Sequence, residues 1–340
     1  MAEIKKHIFL SILSFVLIFS LCSCSSSAKK VSKTTKTLYD TVTTIELYDG
    51  DKTLLKDTEN LAESYQKMFD GNDVNSEIYK LNNAAGKKTT LSEDTLNLLS
   101  FATFSSELSD GAFDITVKPV MDLWNFSADN PKIPSDSEIK EKLQSVGNSN
   151  IVINGTSAVL DNGAQVDVGG IAKGYIADRL VEYLRSRGCK NALINLGGNI
   201  YAMGKNKKGN DFTVGIQKPF AKTGEYSAKI IGLSDMSVVT SGNYIRYFKK
   251  DGKIYHHIID PKTGCPADNN LNSVTVISKY SAAADVLSTA CFVLGKEKGI
   301  ELVNNTQDAE AVFITKDGKI TVTDGLKMND KKIPEIETKK

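Results

Sequence analysis

The chain of 340 residues reads as an α+β protein in which mixed or antiparallel sheets pack against helices. Three observations carry that reading. Short β-rich runs outnumber the helical ones, and most follow one another with no helix between them. Turn dipeptides such as Asn154-Gly155 and Asp251-Gly252 join them as hairpins. The helical segments repeat apolar residues at the 3.6-residue period without alternating regularly with strands, so a doubly wound nucleotide fold is not expected.

The first residues stand apart. A basic start at Lys5 and Lys6 precedes a charge-free apolar run over residues 8–21. That run is shorter than the roughly 20 residues a spanning helix needs, so residues 1–23 are expected to be a secretory signal peptide. Leu21-Cys22-Ser23-Cys24 resembles the lipobox of bacterial lipoproteins, which places a diacyl anchor on Cys24. Leu21 before Cys22 is too bulky for that cleavage point. Residues 24–37 are polar and are expected to be a flexible tether.

Residues 41–47 alternate as a half-buried strand, and residues 54–69 have helical spacing until Asp70-Gly71-Asn72-Asp73 breaks it. A second helix is capped by Ser92 and stopped at Asp110-Gly111. Two prolines make residues 130–137 a loop. A hairpin over 151–160 precedes a helix over 172–187, in which Ile176, Leu180 and Leu184 share one face and Gly188 ends the last turn. Strands are then expected at 192–195, 212–216, 228–231, 237–240, 244–248, 254–259 and 273–277. A helix at 282–294 and a hairpin over 311–323 close the chain.

Composition removes several function classes. The net charge of +1 offers no electrostatic footprint for nucleic acid, and 41% hydrophobic residues suit a sizeable core. Beyond the signal region only Cys189, Cys265 and Cys291 remain, an odd set without metal-ligand spacing, so neither a disulfide framework nor a zinc site is expected.

Four stretches carry candidate chemistry. In Asp167-Val168-Gly169-Gly170-Ile171-Ala172-Lys173-Gly174, paired glycines lie between a strand and a helix start, where backbone approaches a ligand closely and helix amides attract phosphate. Lys173 adds a full charge. Such glycines are also common as plain structural turns, and the spacing is not that of a dinucleotide fingerprint. Tyr255-His256-His257-Ile258-Ile259-Asp260-Pro261 holds both histidines of the mature chain; neighbours on a strand face opposite ways, so only one can look into a site, although a strand-end histidine can equally be satisfied by turn backbone without any chemistry. Asp285 and Thr289 lie four residues apart on one helix face, an oxygen pair suited to magnesium, although an acid in a first helical turn also serves the dipole alone. Gly111-Ala112-Phe113-Asp114-Ile115-Thr116, with Trp124 beyond it, suits either recognition of an aromatic base or a core strand with Asp114 capping a turn.

Together these stretches, with Asn75-Ser76-Glu77-Ile78, Asn195-Leu196-Gly197-Gly198-Asn199 and Thr240-Ser241-Gly242-Asn243-Tyr244, resemble the FAD:protein FMN transferases of the ApbE family from about residue 39 to 294. The resemblance implies a T-fold-like architecture over residues 38–340 and a phosphoryl transfer in which FMN moves from FAD to a Thr or Ser hydroxyl of a target flavoprotein, releasing AMP. It implies that Gly170, Asp285 and Thr289 hold Mg2+, that Tyr39, Ala112, Phe113, Asp114, Asp167, Lys173, His257 and Ile258 contact FAD, and that His257, Asp285 and Lys173 are catalytic. One departure is Tyr39-Asp40-Thr41, where the family has Met-Gly-Thr; Tyr39 is then expected to stack on the flavin edge. Hydrolysis of FAD to FMN and AMP, and flavin binding without chemistry, are the competing readings. His257 argues against the latter, because binding alone needs no general base.

Overall fold

A computed structural model describes residues 31–327, apart from 127, 129 and 223, together with the strand at 335–338. The signal peptide, the lipid attachment at Cys24 and the first part of the tether lie outside the described residues. The elements run β1 Ser32–Leu38, β2 Thr41–Leu47, α1 Lys52–Phe69, α2 Glu77–Asn82, β3 Thr89–Thr90, α3 Glu93–Leu108, α4 Lys118–Trp124 and α5 Asp136–Leu143. There follow β4 Ile151–Asn154, β5 Ser157–Leu160, α6 Ala172–Ser186, β6 Ala192–Leu196, β7 Asn199–Met203, β8 Phe212–Gln217, β9 Tyr226–Leu233, β10 Met236–Gly242, β11 Tyr247–Lys250 and β12 Lys253–His256. The last are β13 Leu271–Ser278, α7 Ser281–Leu294, α8 Lys296–Asn304, β14 Ala309–Thr315, β15 Ile320–Val322, α9 Asp324–Lys327 and β16 Glu335–Thr338.

The expected α+β class is present. Eight strands form one sheet in the order β1-β2-β6-β7-β10-β13-β14-β15, and every pair in it is antiparallel. Strand residues alternate between two buried faces. Ile194, Leu196, Val274 and Phe313 pack toward the helices, while Ala202, Val238, Ile277 and Val312 pack against β8 and β9. The three-stranded sheet β16-β9-β8 thus covers one side of the large sheet. Among the described residues no helix is long and apolar enough to cross a membrane.

Several expectations need correction. Residues 32–37 do not belong to a tether: they are edge strand β1, paired along its length with β2. Its threonines favour extended backbone, and its lysines pair outward, Lys33 with Glu46 at 2.7 Å and Lys36 with Glu63 at 2.7 Å. A solvated edge looks like a linker because only Ser32 and Leu38 are buried. The stretch after Gly111 is not a strand; Asp114 caps a short turn over 115–117 that leads into α4. The run 244–248 pairs only from Tyr247, and 254–259 stops at His256, where the chain turns back so that Ala267 N donates to Ile258 O at 2.9 Å. The loop over 130–137 ends at Ser135, whose capping box starts α5. Strand β7 and helices α2, α4 and α8 were not anticipated. A Cβ on Gly299, inside α8, would lie 2.9 Å from the Phe313 ring, so the glycine serves close packing there.

Candidate active site

The loop from β5 to α6 is fastened to the segment before α4 by Asp167 N, which donates to Ile115 O at 2.7 Å. Asp167 Oδ1 accepts from Gly169 N at 2.7 Å and tightens the turn. Helix α6 then starts at Ala172 without a side-chain cap of its own. Its cap comes from another helix: Gly174 N donates to Oδ2 of Asp285 at 2.9 Å. Only a glycine allows this approach, because a Cβ at 174 would lie 2.4 Å from Ser281 O.

Asp285 is 4% exposed, so its charge needs partners. Oδ2 has them in the Gly174 amide and in Lys173 Nζ, 3.9 Å away. Among the described residues no hydrogen bond reaches Oδ1. One helical turn on, Thr289 Oγ1 lies 3.1 Å from Ser241 Oγ, and a Cβ on Gly170 would stand 3.9 Å from the same hydroxyl. The sequence-separated trio of Gly170, Asp285 and Thr289 is therefore local in space. It offers only oxygens, and among the described residues no group of three or more His, Cys, Asp or Glu gathers elsewhere to hold a metal. A hard cation that keeps waters or substrate phosphates as further ligands fits this donor set.

The two histidines differ in their hydrogen bonds, His256 lying at the end of β12 and His257 just beyond it. His256 is buried and bonded at both nitrogens, with Nε2 3.1 Å from Ala267 O and Nδ1 3.3 Å from Ile258 N. It is the histidine satisfied by turn backbone. Among the described residues His257 hydrogen-bonds only with Arg246 O, which receives its backbone amide at 3.1 Å and faces Nδ1 at 3.2 Å. A carbonyl can only accept, so Nδ1 carries the proton and Nε2 keeps an open lone pair. Burial lowers the His257 pKa to about 4, and the charges of Arg246 and Lys173 push the same way. Burial likewise takes His256 to about 4. His257 is thus a neutral imidazole at pH 7.

The remaining expected contacts are mostly committed to the fold. Ala112 and Phe113 are 4% exposed in the core, and the Phe113 ring lies beside Gly170. Asp114 accepts from Thr116 N and Oγ1 at 2.8 and 2.6 Å, and burial raises its pKa. Ile258 is buried, and its backbone amide and carbonyl are both bonded within the turn, so it keeps no free polar group. Tyr39 and Asp40 both take positive φ, 56° and 55°, at the β1–β2 turn. The Tyr39 hydroxyl donates to Ala62 O of α1, which fastens the ring to that helix instead of leaving it free to stack.

Sequence reasoning passed over Arg246 and Asp178, and it quoted Ser241 only within a landmark segment, without a role. Arg246 meets His257 from a segment that nothing local marks, and Ser241 reaches Thr289 across 48 residues. Asp178 did carry a signal: it lies one turn after Gly174 on the same face of α6. A cavity of about 670 Å3, lined by Trp124, Tyr255, His256, Asp268 and Lys316 among others, contains none of Lys173, His257 and Asp285. Its histidine has no free nitrogen, so the cavity is not where the chemistry gathers.

An antiparallel α+β scaffold that brings a lysine, a buried carboxylate and a hydroxyl to one helix start suits an enzyme of the group-transfer class. The chain belongs to the ApbE family, whose model matches residues 39–313. It is 36% identical over 283 residues to an FAD:protein FMN transferase of Klebsiella pneumoniae, covering 82% of this chain and 87% of that protein. The corresponding Treponema pallidum protein is 35% identical over 290 residues, 80% of each chain. The crystal structure of the ApbE protein of Thermotoga maritima superposes with a TM-score of 0.81 at 29% identity, covering 89% of this chain and all of that one. The flavin transferase ApbE of Vibrio cholerae gives 0.79 at 29% identity, with 88% and 98% covered.

Proposed function

We propose that this protein is a magnesium-dependent FAD:protein FMN transferase that moves FMN from FAD onto a Thr or Ser hydroxyl of a target flavoprotein and releases AMP. One observation carries the reading: Lys173 lies 3.9 Å from the buried Asp285 carboxylate at the start of α6, where a phosphate can meet both a cation and helix amides. The pyrophosphate of FAD sits at the start of α6, where helix amides and Lys173 balance its charge. His257 Nε2 takes the proton of the acceptor hydroxyl while the hydroxyl oxygen bonds to the phosphorus of the FMN half. The bond from that phosphorus to the bridging oxygen breaks, and AMP leaves with both electrons. Oδ1 of Asp285, the Thr289 hydroxyl and the Gly170 carbonyl would hold magnesium, which would withdraw charge from the phosphate oxygens.

The basic start, the charge-free run over 8–21 and the lipobox-like Leu21-Cys22-Ser23-Cys24 support an extracytoplasmic enzyme anchored to the cell membrane by diacylated Cys24. Its partners are then FAD and flavoproteins that expose an acceptor hydroxyl on the same side. The test is to incubate the purified protein with FAD, Mg2+ and an acceptor flavodomain and to weigh the products. A gain of one FMN on the acceptor is expected. Free FMN plus AMP would make the protein a hydrolase, and unchanged FAD would make it a binder only.

A further inference from the structure

Helix α7 carries both Asp285 and Thr289, yet nothing on α7 itself caps its N-terminus. Its N-cap residue is Tyr280, which provides no side-chain hydrogen bond. The cap comes from α6: Asp178 Oδ1 accepts from Ser281 N at 2.8 Å and Oδ2 from Ala282 N at 2.9 Å. The helices therefore cap each other, Asp285 serving α6 through Gly174 N and Asp178 serving α7. The Ser281 side chain is fixed as well, with Oγ donating to Asn199 Oδ1 at 2.7 Å and lying 2.8 Å from Ser237 Oγ. Helix α6, β7 and β10 thus all meet α7 at its first residue, one turn before Asp285.

We propose that Asp178 is a positioning residue for the transfer reaction: by holding the Ser281 and Ala282 amides it sets the helical phase of α7, and so aims Oδ1 of Asp285 at the metal. The proposal rests on the functional reading above for the identity of the ion. Three features support it. Both carboxylate oxygens of Asp178 are used, on consecutive amides, which fixes rotation as well as distance. Gly174 admits no side chain between the helices, so the α6–α7 spacing is set by backbone contact. Asp178 also bonds to the amides of α7 while Asp285 bonds to an amide of α6, so displacement of either helix breaks bonds at both.

The experiment compares the full chain with Asp178→Asn, Tyr280→Ser and the double variant, each checked for native near-ultraviolet circular dichroism. Asn cannot accept from both amides, whereas Ser at position 280 restores a cap from α7 itself; Tyr280 is 57% exposed and outside the site. In Asp178→Asn, hydrogen exchange at Ser281 and Ala282 is expected to speed up about tenfold or more. Mg2+ affinity, titrated with the metal alone, is expected to fall by roughly 10- to 100-fold, as when a partner of a metal ligand is lost. kcat falls with it, while KM for FAD stays within about twofold, because Asp178 acts through α7 and not on the flavin. The double variant is expected to match Tyr280→Ser in all three readouts.

Unchanged exchange at 281–282 in Asp178→Asn overturns the clamp. Faster exchange with unchanged Mg2+ affinity overturns its role in aiming Asp285. A double variant weaker in metal binding than Tyr280→Ser overturns action through the helix start. That comparison is between two capped proteins, so it decides the matter even if Asp178→Asn alone does not fold. A parent chain that binds no Mg2+ overturns the functional reading and this role with it, whereas the exchange data judge the clamp separately.

Discussion

Gly174 N and Asp285 Oδ2 are joined at 2.9 Å, across 111 residues of sequence, by a bond that no larger residue at 174 would permit. That single contact caps α6, satisfies a buried charge and brings the Lys173 side chain to the carboxylate.

Gly174→Ala puts two effects in competition. Alanine in a helix interior is favoured over glycine by about 1 kcal/mol. Its Cβ, however, would stand 2.4 Å from Ser281 O and 2.7 Å from Ala282 Cα, and backbone atoms cannot rotate away. Overpacking of this kind costs roughly 1–3 kcal/mol, so the clash prevails. A lower melting temperature together with weaker Mg2+ binding is expected from calorimetry; a more stable protein with normal turnover would contradict the close approach.

His257→Ala should separate chemistry from folding. Loss of a general base lowers turnover by roughly 10²–10⁴-fold, and the melting temperature should hardly move, since the side chain makes one hydrogen bond to Arg246 O. His256→Ala should do the reverse. It removes a buried ring bonded at both nitrogens and packed edge-on against Phe292 at 5.4 Å, and an unfolding curve should show the loss.

Acid should weaken the fold through the histidine pair. Both have folded pKa values near 4 against an ordinary 6.5, so between those values the unfolded chain binds protons that the folded one refuses. Their contribution is complete above pH 6.5 and is lost as the pH falls through about 4. Asp178 opposes it: burial raises its pKa to about 6 from 3.8, a contribution complete below 3.8 and lost as the pH rises through about 6. Two histidines outweigh one acid, so urea midpoints should be lower at pH 4.5 than at pH 7. In the rate profile, kcat/KM should keep its base unprotonated to well below pH 6.

Asp285→Asn keeps an oxygen for the Gly174 amide but removes the charge. Near-native circular dichroism with Mg2+ binding lost in calorimetry is the expected pair of results. Ordinary Mg2+ affinity in this variant would place the ion elsewhere.

Local rules sufficed for much of this. The caps Ser92 and Ser135, the Asn154-Gly155 hairpin and the apolar face of α6 act over a few residues, so pattern alone reveals them. The resemblance supplied the segments that meet at the site, because motif spacing survives without coordinates. Where a strand is solvated, as in β1, local pattern misleads.

What the sequence by itself determined is the inventory: which residue types can carry a base, a cation cradle and a phosphate hook, and that an antiparallel α+β fold holds them. The resemblance pointed to His257, but only the tertiary structure showed why it keeps an open nitrogen and His256 does not, because that depends on Arg246 and Ala267 reaching the two rings from other segments. It alone showed that α6 and α7 cap one another. Hydrogen-bond partners are chosen by distance in space, and a contact 103 residues apart in sequence, such as Asp178 with Ser281, leaves no periodicity to read.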